Sequence, residues 1–569
     1  MHKNSRPTVV LGFDALSFRY LDAFDLPNFD ALRDEGVAAP LRSTHPPWTA
    51  SAWPSMYTGV DPSHHGVYDF FAHQEGYPDE GRVVTRDDVR APALWNYLSV
   101  LGVPSVVLNM PVTYPAEPIE GTLIPGYLAP EDAEGAPEGA REELSTATGE
   151  YRIYSRAELS DDKGEKLDGY VELIDLRRRA AEHLLASVDW QLAIIQVQKT
   201  DAVFHNFHSR EAFQRIYEAA DALLGGVRSA VDGETNFVVC SDHGIGPVTG
   251  YKIYLNEILR QHGFVETTTN GERTMLGEKK TRLVQGGGMY ENSTDSAECN
   301  SSTPTDQSNT ANLSGSAGPS LPAQALSAAE TVLRRIGVTP ADVYAAATRL
   351  GIDEAVLRLL PAEAETSVGE YVDWRASQAY CRSSSEYGIR LNVAGRELDG
   401  VVSPDEYEDV RNALINLLSG LETPAGEPAF EFVAPREEVY TGPHADRACD
   451  VLFRPAGMNH IIARSLLGKP FVPVEAYEHK RDGVFVGTGP SFESTADAPD
   501  GLSLIDIAPI VMTSLGRDVP ERMTGVVPEN LLSVPTTHQE YGDIAFAAGT
   551  GRTERDDHVE ERLSDLGYL

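Results

Sequence analysis

Short apolar runs recur along the first half of the chain, each closed by a polar or acidic residue and separated by stretches with helical spacing. The run TVVLGFD over residues 8–14 is the first; it reads as a buried parallel strand with Asp14 at its C-terminal end. Residues 26–36 are amphipathic and stop at Gly36, as a helix does. The same reading predicts a helix over 91–101 with Gly102 as its stop, a strand over 103–110, a helix over 170–188, a strand over 190–198, a helix over 209–231 and a strand over 237–240. Strands alternating with helices predict an α/β fold, a mostly parallel central sheet with helices on both faces. Sheets of that kind gather ligands at the C-terminal edge of their strands.

The alternation lapses twice. Residues 116–166 are acidic with several Pro and Gly, which predicts a solvated excursion. Residues 266–322 are Ser, Thr, Asn and Gly with almost no apolar content, which predicts a flexible insertion. Ala/Leu/Arg helices are expected over 321–361. The α/β pattern returns from 373, with a strand over 387–393, a helix over 404–421, extended chain over 429–439, a strand over 483–487 and an apolar helix over 502–516. The expected organisation is a core in two parts, 1–265 and 441–535, carrying the insertion 266–322 and a helical and α+β cap 323–440, with an acidic tail over 536–569.

One stretch departs from the pattern in another way. THPPWTASAWPSMYTGVDPSHHGVYD over 44–69 follows a strand but is rich in small, hydroxyl and proline residues, so it builds little core. Thr49 lies near its start, where a helix N-terminus can begin, and is the candidate nucleophile. A Thr hydroxyl is a poor nucleophile at neutral pH and needs a divalent metal to lower its pKa. Metal-type ligands stand at or beside four apolar strands: Asp14; Asp201 with His205; the adjacent Asp242 and His243; and His479, just before the strand at 483–487. The D-x-x-x-H spacing puts Asp201 and His205 on one face of a helical turn. Carboxylate oxygen with imidazole nitrogen suits zinc, manganese or iron better than calcium. Three carboxylates brought together would repel one another without a cation between them.

Composition narrows the classes. The chain has 569 residues and is 41% hydrophobic, enough for a large core. Its net charge is -39, from 86 acids against 47 bases, and only nine of those bases are Lys. Acid-rich, Lys-poor surfaces suit concentrated salt, which screens their self-repulsion, so a halophilic, archaeal source is expected. Such a surface repels a nucleic-acid backbone. The four Cys, at 240, 299, 381 and 449, have no C-x-x-C spacing, so neither a disulfide framework nor a zinc knuckle is expected. The first residues carry no long apolar segment and no run reaches 18 apolar residues; no signal peptide and no membrane span are expected, and the location expected is cytoplasmic.

The ordered set resembles a known family. GFDALSFRYL around Asp14, PPWTASAWPSMYTGVDPSHHG around Thr49, KTDAVFHNF, VVCSDHGIG and YEHKRDGVFVGTGP resemble the alkaline phosphatase superfamily, in its type I phosphodiesterase/nucleotide pyrophosphatase branch. NMPVTYP, the stretch from DWRASQAYC to ELDGVV, and the late DIAPIVMTSLG are similar to archaeal and bacterial members of that branch. The resemblance runs from about residue 8 to about residue 530. It implies two divalent metal ions, zinc or else manganese, with Asp14, Thr49, Asp242 and His243 holding one and Asp201, His205 and His479 the other. It also implies Thr49 as nucleophile, a covalent phosphothreonine, and a small-molecule phosphoester or nucleotide substrate. Ser51 is a rival hydroxyl.

The sequence departs from the family at one place. The family carries an Asn after the H-G-x-x-D segment, where it contacts the phosphoryl group; here Phe70 follows Asp69. The donor must come from elsewhere, and Asn109, Lys199 and Thr113 are the candidates, each at or just past a predicted strand end. That departure keeps a phosphomonoesterase, phosphomutase or head-group phosphotransferase open as an alternative. A catalytically silent, metal-stabilised binding protein is the alternative from another class. A sulfatase is disfavoured, because no Cys/Ser-x-Pro-x-Arg motif surrounds Thr49.

Overall fold

In the computed structural model the described residues are 6–73, 77–78, 81–268, 371–493 and 498–546. Two compact units separate: Met1–Glu266 with Trp374–Arg464 and Gly468–Leu569, and Thr267–Asp373 with Ser465–Leu467. Little of the second is described beyond a strand, Tyr371–Asp373. Most of the expected insertion, the helices expected over 321–361 and the end of the acidic tail lie outside the described residues.

The first unit is built on a seven-stranded sheet. Its strands in chain order are β1 (Thr8–Phe13), β2 (Val37–Arg42), β3 (Ser105–Met110), β4 (Gly121–Pro125), β5 (Leu192–Val197), β6 (Asn236–Cys240) and β9 (Asp482–Thr488). Two further strands, β7 (Gly244–Val248) and β8 (Ala476–Lys480), pair antiparallel beside it. The sheet order is β2-β9-β6-β1-β5-β3-β4. β1 lies at the centre, parallel to β5 and β6, and every residue in it is buried. A strand covered on both faces can afford no polar alternation, which is why these runs are almost wholly apolar. The exception to parallel pairing is β9, antiparallel to both β2 and β6.

Helices cover the sheet as the alternation predicts. They include α1 (Pro27–Glu35), α2 (Thr49–Thr58), α3 (Lys163–Ser187), α4 (Lys199–Asn206), α5 (Arg210–Ser229) and α6 (Ile507–Ser514); α3 and α1 pack on α5, and α6 packs on α2. α2 is buried at all ten positions and tolerates an internal Pro54. Small side chains let a helix sit this deep: Ala50, Ser51, Ala52 and Ser55 leave room for neighbouring backbone. A separate antiparallel sheet joins Ala379–Tyr380, Gly388–Leu391, Val451–Pro455 and Phe430–Pro435, with Tyr407–Ser419 against it through buried Leu414 and Leu418.

Two expectations need correction. Residues 116–166 are not a solvated excursion: they supply β4, an edge strand of the central sheet, and the helix Ala140–Thr148, with Leu123, Ile124, Tyr151 and Tyr154 buried. The acids lie in the connections and hide a five-residue apolar core segment in the average. His479 also lies within β8 rather than in a connection before a strand.

Candidate metal centre

The parallel strands β1, β5 and β6 end on one edge, and each delivers ligands there. Asp14 follows β1. Asp201 and His205 lie one helical turn apart on α4, which follows β5. Asp242 and His243 follow β6. β8 brings His479 to the same place, because its pairing with β7 sets His479 opposite Ile245. The donor atoms of Asp14, Asp201 and His243 lie within 4.8 Å of one another, and so do those of Asp201, His205 and His479. The His243 and His479 rings stack at 3.7 Å between centroids, so the two sets adjoin. Thr49, the first residue of α2, has its hydroxyl 3.4 Å from Asp14 Oδ1 and 3.5 Å from His243 Nε2.

Hydrogen bonding fixes which imidazole nitrogens face the centre. His243 Nδ1 lies 3.1 Å from the Gly244 carbonyl and His479 Nδ1 lies 3.0 Å from the Pro47 carbonyl. A carbonyl only accepts, so each Nδ1 carries the hydrogen and each Nε2 presents its lone pair. Those lone pairs face carboxylates: His243 Nε2 is 3.2 Å from Asp242, and His479 Nε2 is 3.5 Å from Asp201. Asp242 Oδ2 is buried with no hydrogen-bond donor. Lone pairs and carboxylate oxygens facing one another in a buried site call for a cation, so the donor set fits divalent metal ions.

The electrostatics agree. Burial pushes the Asp14 carboxyl well above its ordinary range, and the charges of Asp242 and Asp201 push further. Burial acts the same way on Asp201, but the His205 and His479 imidazoles outweigh it and hold Asp201 well below the usual range. Burial also pulls His205 down, yet Asp201 reverses this and lifts it to about 9.

The type I phosphodiesterase / nucleotide pyrophosphatase family model matches residues 8–313, more than half of the chain. The chain belongs to the type I phosphodiesterase/nucleotide pyrophosphatase family. As a member of that family, within the alkaline phosphatase superfamily, it is a metal-dependent phosphoester hydrolase, and the Asp and His groups above could hold its metal ions. Phosphonoacetate hydrolase from Sinorhizobium meliloti 1021, solved in complex with phosphonoformate, is similar in structure: TM-score 0.53 at 14% identity, over 90% of this chain and 96% of that one. At that identity the likeness is one of fold. Murine ectonucleotide pyrophosphatase / phosphodiesterase 5 aligns with TM-score 0.46 and 11% identity, over 93% and 100% of the two chains. No curated protein matches the chain.

Residues outside the ligand set hold this family member's centre in place. Gln196, buried near the end of β5, donates to Asp14 Oδ2 at 3.1 Å, and Trp53 Nε1 donates to the same oxygen at 3.3 Å. Trp53 reaches it because residue 12 is Gly: a Cβ there would fall 2.5 Å from the indole. Thr200 donates to the Asp14 carbonyl at 2.6 Å. A polar Gln inside the apolar run LAIIQV was the visible signal for Gln196; Trp53 gave none beyond its neighbourhood to Thr49.

The remaining candidates are committed to the protein. Asn109 gives its amide hydrogens to the Gln196 carbonyl and Oε1 at 3.1 and 2.9 Å. Lys199 pairs with Glu158 at 2.6 Å. Thr113 donates to the Met110 carbonyl at 2.6 Å. Ser51 donates to the Pro46 and Trp48 carbonyls, both at 3.0 Å. Asp69, His73 and Glu386 also gather donor atoms within 4.8 Å. There, however, Arg382 pairs with Glu386 at 2.6 Å and supplies the positive charge.

Proposed function

We propose that the chain hydrolyses small-molecule phosphodiesters or nucleotide phosphoanhydrides, with Thr49 as nucleophile and a phosphothreonine intermediate. Asp14, Thr49, Asp242 and His243 would hold one divalent ion, and Asp201, His205 and His479 the other. Zinc is the metal proposed, with manganese as the alternative. Bound there, the ions lower the pKa of an attached hydroxyl and neutralise charge on the phosphoryl group.

What supports this above all is the position of the Thr49 hydroxyl, at the start of a buried helix and beside Asp14 Oδ1 and His243 Nε2, in a site where two Asp/His groups each gather their donor atoms within 4.8 Å. Thr49 Oγ1 attacks phosphorus, the bond to the leaving oxygen breaks, and a phosphothreonine forms. Asp14 Oδ1 is within reach to accept the Thr49 proton. Water then displaces Thr49 from phosphorus, restoring the hydroxyl; the sum is diester plus water giving monoester plus alcohol. The Thr49 and Ala50 N–H groups open α2 with no acceptor among the described residues, so they point their partial positive charge at the transferring group. Trp48, tilted against His479 at 4.2 Å between ring centroids, keeps water off that side of the centre.

The test compares wild type with Thr49→Ala for bound metal and for turnover of chromogenic phosphodiesters and phosphomonoesters in high salt. Loss of turnover with at least one metal ion per chain retained is expected. Full turnover in the variant would remove Thr49 as nucleophile. Monoesters turned over faster than diesters would favour the phosphomonoesterase alternative, which Phe70 at the Asn position keeps open.

A further inference from the structure

Phe70 occupies the place of the family's phosphoryl-contacting Asn, and it is fully buried with its ring edge-on to Trp48. Asn109, Lys199 and Thr113 spend their donors on Gln196, Glu158 and Met110. Tyr127 differs. It is 3% exposed, and its hydroxyl has no hydrogen-bond partner among the described residues.

Its position follows from the sheet. Tyr127 comes two residues after β4, on the edge where the ligands gather. β4 pairs with β3, whose end carries Asn109. The two strand-end loops touch: a Cβ on Gly126 would fall 1.9 Å from the Asn109 carbonyl oxygen, and Val112 N–H donates to the Tyr127 carbonyl at 3.3 Å. Together the loops hold three non-glycine residues in the left-handed region, Asn109 at φ 62°, Val112 at φ 57° and Leu128 at φ 77°. Such conformations are strained and persist where surrounding structure enforces a needed geometry. The Tyr127 ring lies 6.1 Å from that of Tyr154. Burial keeps the phenol protonated well above its ordinary range, and Tyr154, Glu158 and, less strongly, Asp201 and Asp14 add to that effect.

We propose that the Tyr127 hydroxyl is the donor to a non-bridging phosphoryl oxygen, in the role that Asn fills elsewhere in the family. This rests on the Thr49 centre being the site of reaction. The ligand is a phosphoryl oxyanion, and the bond strengthens as negative charge grows on that oxygen in the transition state. An unpartnered buried hydroxyl carries a stability cost, which an acceptor oxygen on the ligand would remove.

The experiment is Tyr127→Phe in the full-length, metal-loaded protein, beside wild type and Thr49→Ala. Three readouts are taken: kcat/KM on a chromogenic phosphodiester, equilibrium binding of orthovanadate, and metal content with Tm. We expect kcat/KM to fall about 100-fold, in the range seen when one oxyanion donor is removed. Orthovanadate affinity falls with it, while metal content is unchanged and Tm is equal or higher. Wild-type kcat/KM and orthovanadate affinity in Tyr127→Phe overturn the proposal. So does a loss of activity accompanied by loss of metal, which would make Tyr127 a support for the ligands. Full turnover in Thr49→Ala instead overturns the reading of the centre, so the two failures are distinguishable.

Discussion

Replacing Asp14 with Asn should stabilise the metal-free protein and destabilise the metal-loaded one. Asp14 is fully buried, and its nearest ligand atom lies within 4.8 Å of that of Asp201. Two carboxylates at that separation repel by about 3 kcal/mol at an effective dielectric constant of about 20. This is a ceiling, because without metal Asp14 relieves part of it by keeping its proton, the direction in which burial and its neighbours push it. Asn keeps the local bonds: its carbonyl can accept from Gln196 and Trp53, and its amide can donate to Thr49. About 1 kcal/mol moves Tm by roughly 2–4 °C in a 150–250-residue domain and by less in a larger one, so a rise of a few degrees is expected. With metal the order reverses. The variant loses a charged ligand, and each 100-fold loss of affinity removes about 2.7 kcal/mol of binding-linked stability. The assay is thermal unfolding of both proteins after chelation and again at saturating zinc or manganese, at fixed high salt. A metal-free variant melting below the metal-free wild type would refute the electrostatic account of the centre.

Gln196→Leu should weaken metal affinity or activity by about 10–100-fold, the usual effect of removing a residue that orients a ligand, measured by metal titration and steady-state kinetics. Arg86→Met should cost about 3–5 kcal/mol in denaturant unfolding, because it removes the guanidinium bonded at 2.9 Å to Glu117, which is 2% exposed; adding Glu117→Gln should recover part of the loss. Asp450 is buried, and although burial raises its carboxyl, Arg396, Arg390 and Arg436 hold it at about 2, below the ordinary aspartate range. A lowered carboxyl stabilises above its unfolded pKa, so about 2 kcal/mol present at neutral pH should be lost as pH falls from about 4 to about 2. Asp450→Asn should flatten stability against pH in that window, and an unchanged acid limb would contradict the assignment. A net charge of -39 predicts a Tm that rises with KCl concentration, and a flat response would argue against adaptation to salt.

Much of this architecture was legible because buried parallel strands advertise themselves. β1, β5 and β6 are nearly uninterrupted apolar runs, and the acids closing them sit where an α/β sheet exposes its C-terminal edge. β4 was not legible: five residues between Pro- and Gly-rich connections carry too little apolar weight to stand out from an acidic background. The candidate ligands stand out in the sequence as an ordered set, since each is a carboxylate or imidazole side chain beside a strand, and the structure gathers Asp14, Asp201 and His243, and Asp201, His205 and His479, each within 4.8 Å. Their supports stand out less. Trp53 resembles a core aromatic, and only its three-dimensional approach to Asp14 distinguishes it.

The loop before Thr49 and the Asp and His groups are also mechanically joined, and this bears on how variants should be interpreted. The Pro47 carbonyl that sets the His479 tautomer lies two residues before Thr49. Asp14 accepts from Thr49, and the carbonyl of the same Asp14 accepts from Thr200, next to Asp201. A substitution that shifts the backbone at 46–49 therefore moves the proposed nucleophile, Thr49, and reorients His479, a proposed ligand of the other set, together. Thr49→Ala is the cleaner probe because it deletes one hydroxyl at a helical position and leaves the Pro47 carbonyl where it is. It also removes one proposed ligand of the first set while leaving Asp201, His205 and His479 untouched. Its metal content should consequently fall by no more than one ion per chain, and loss of both would mean that the two sets form a single cooperative unit.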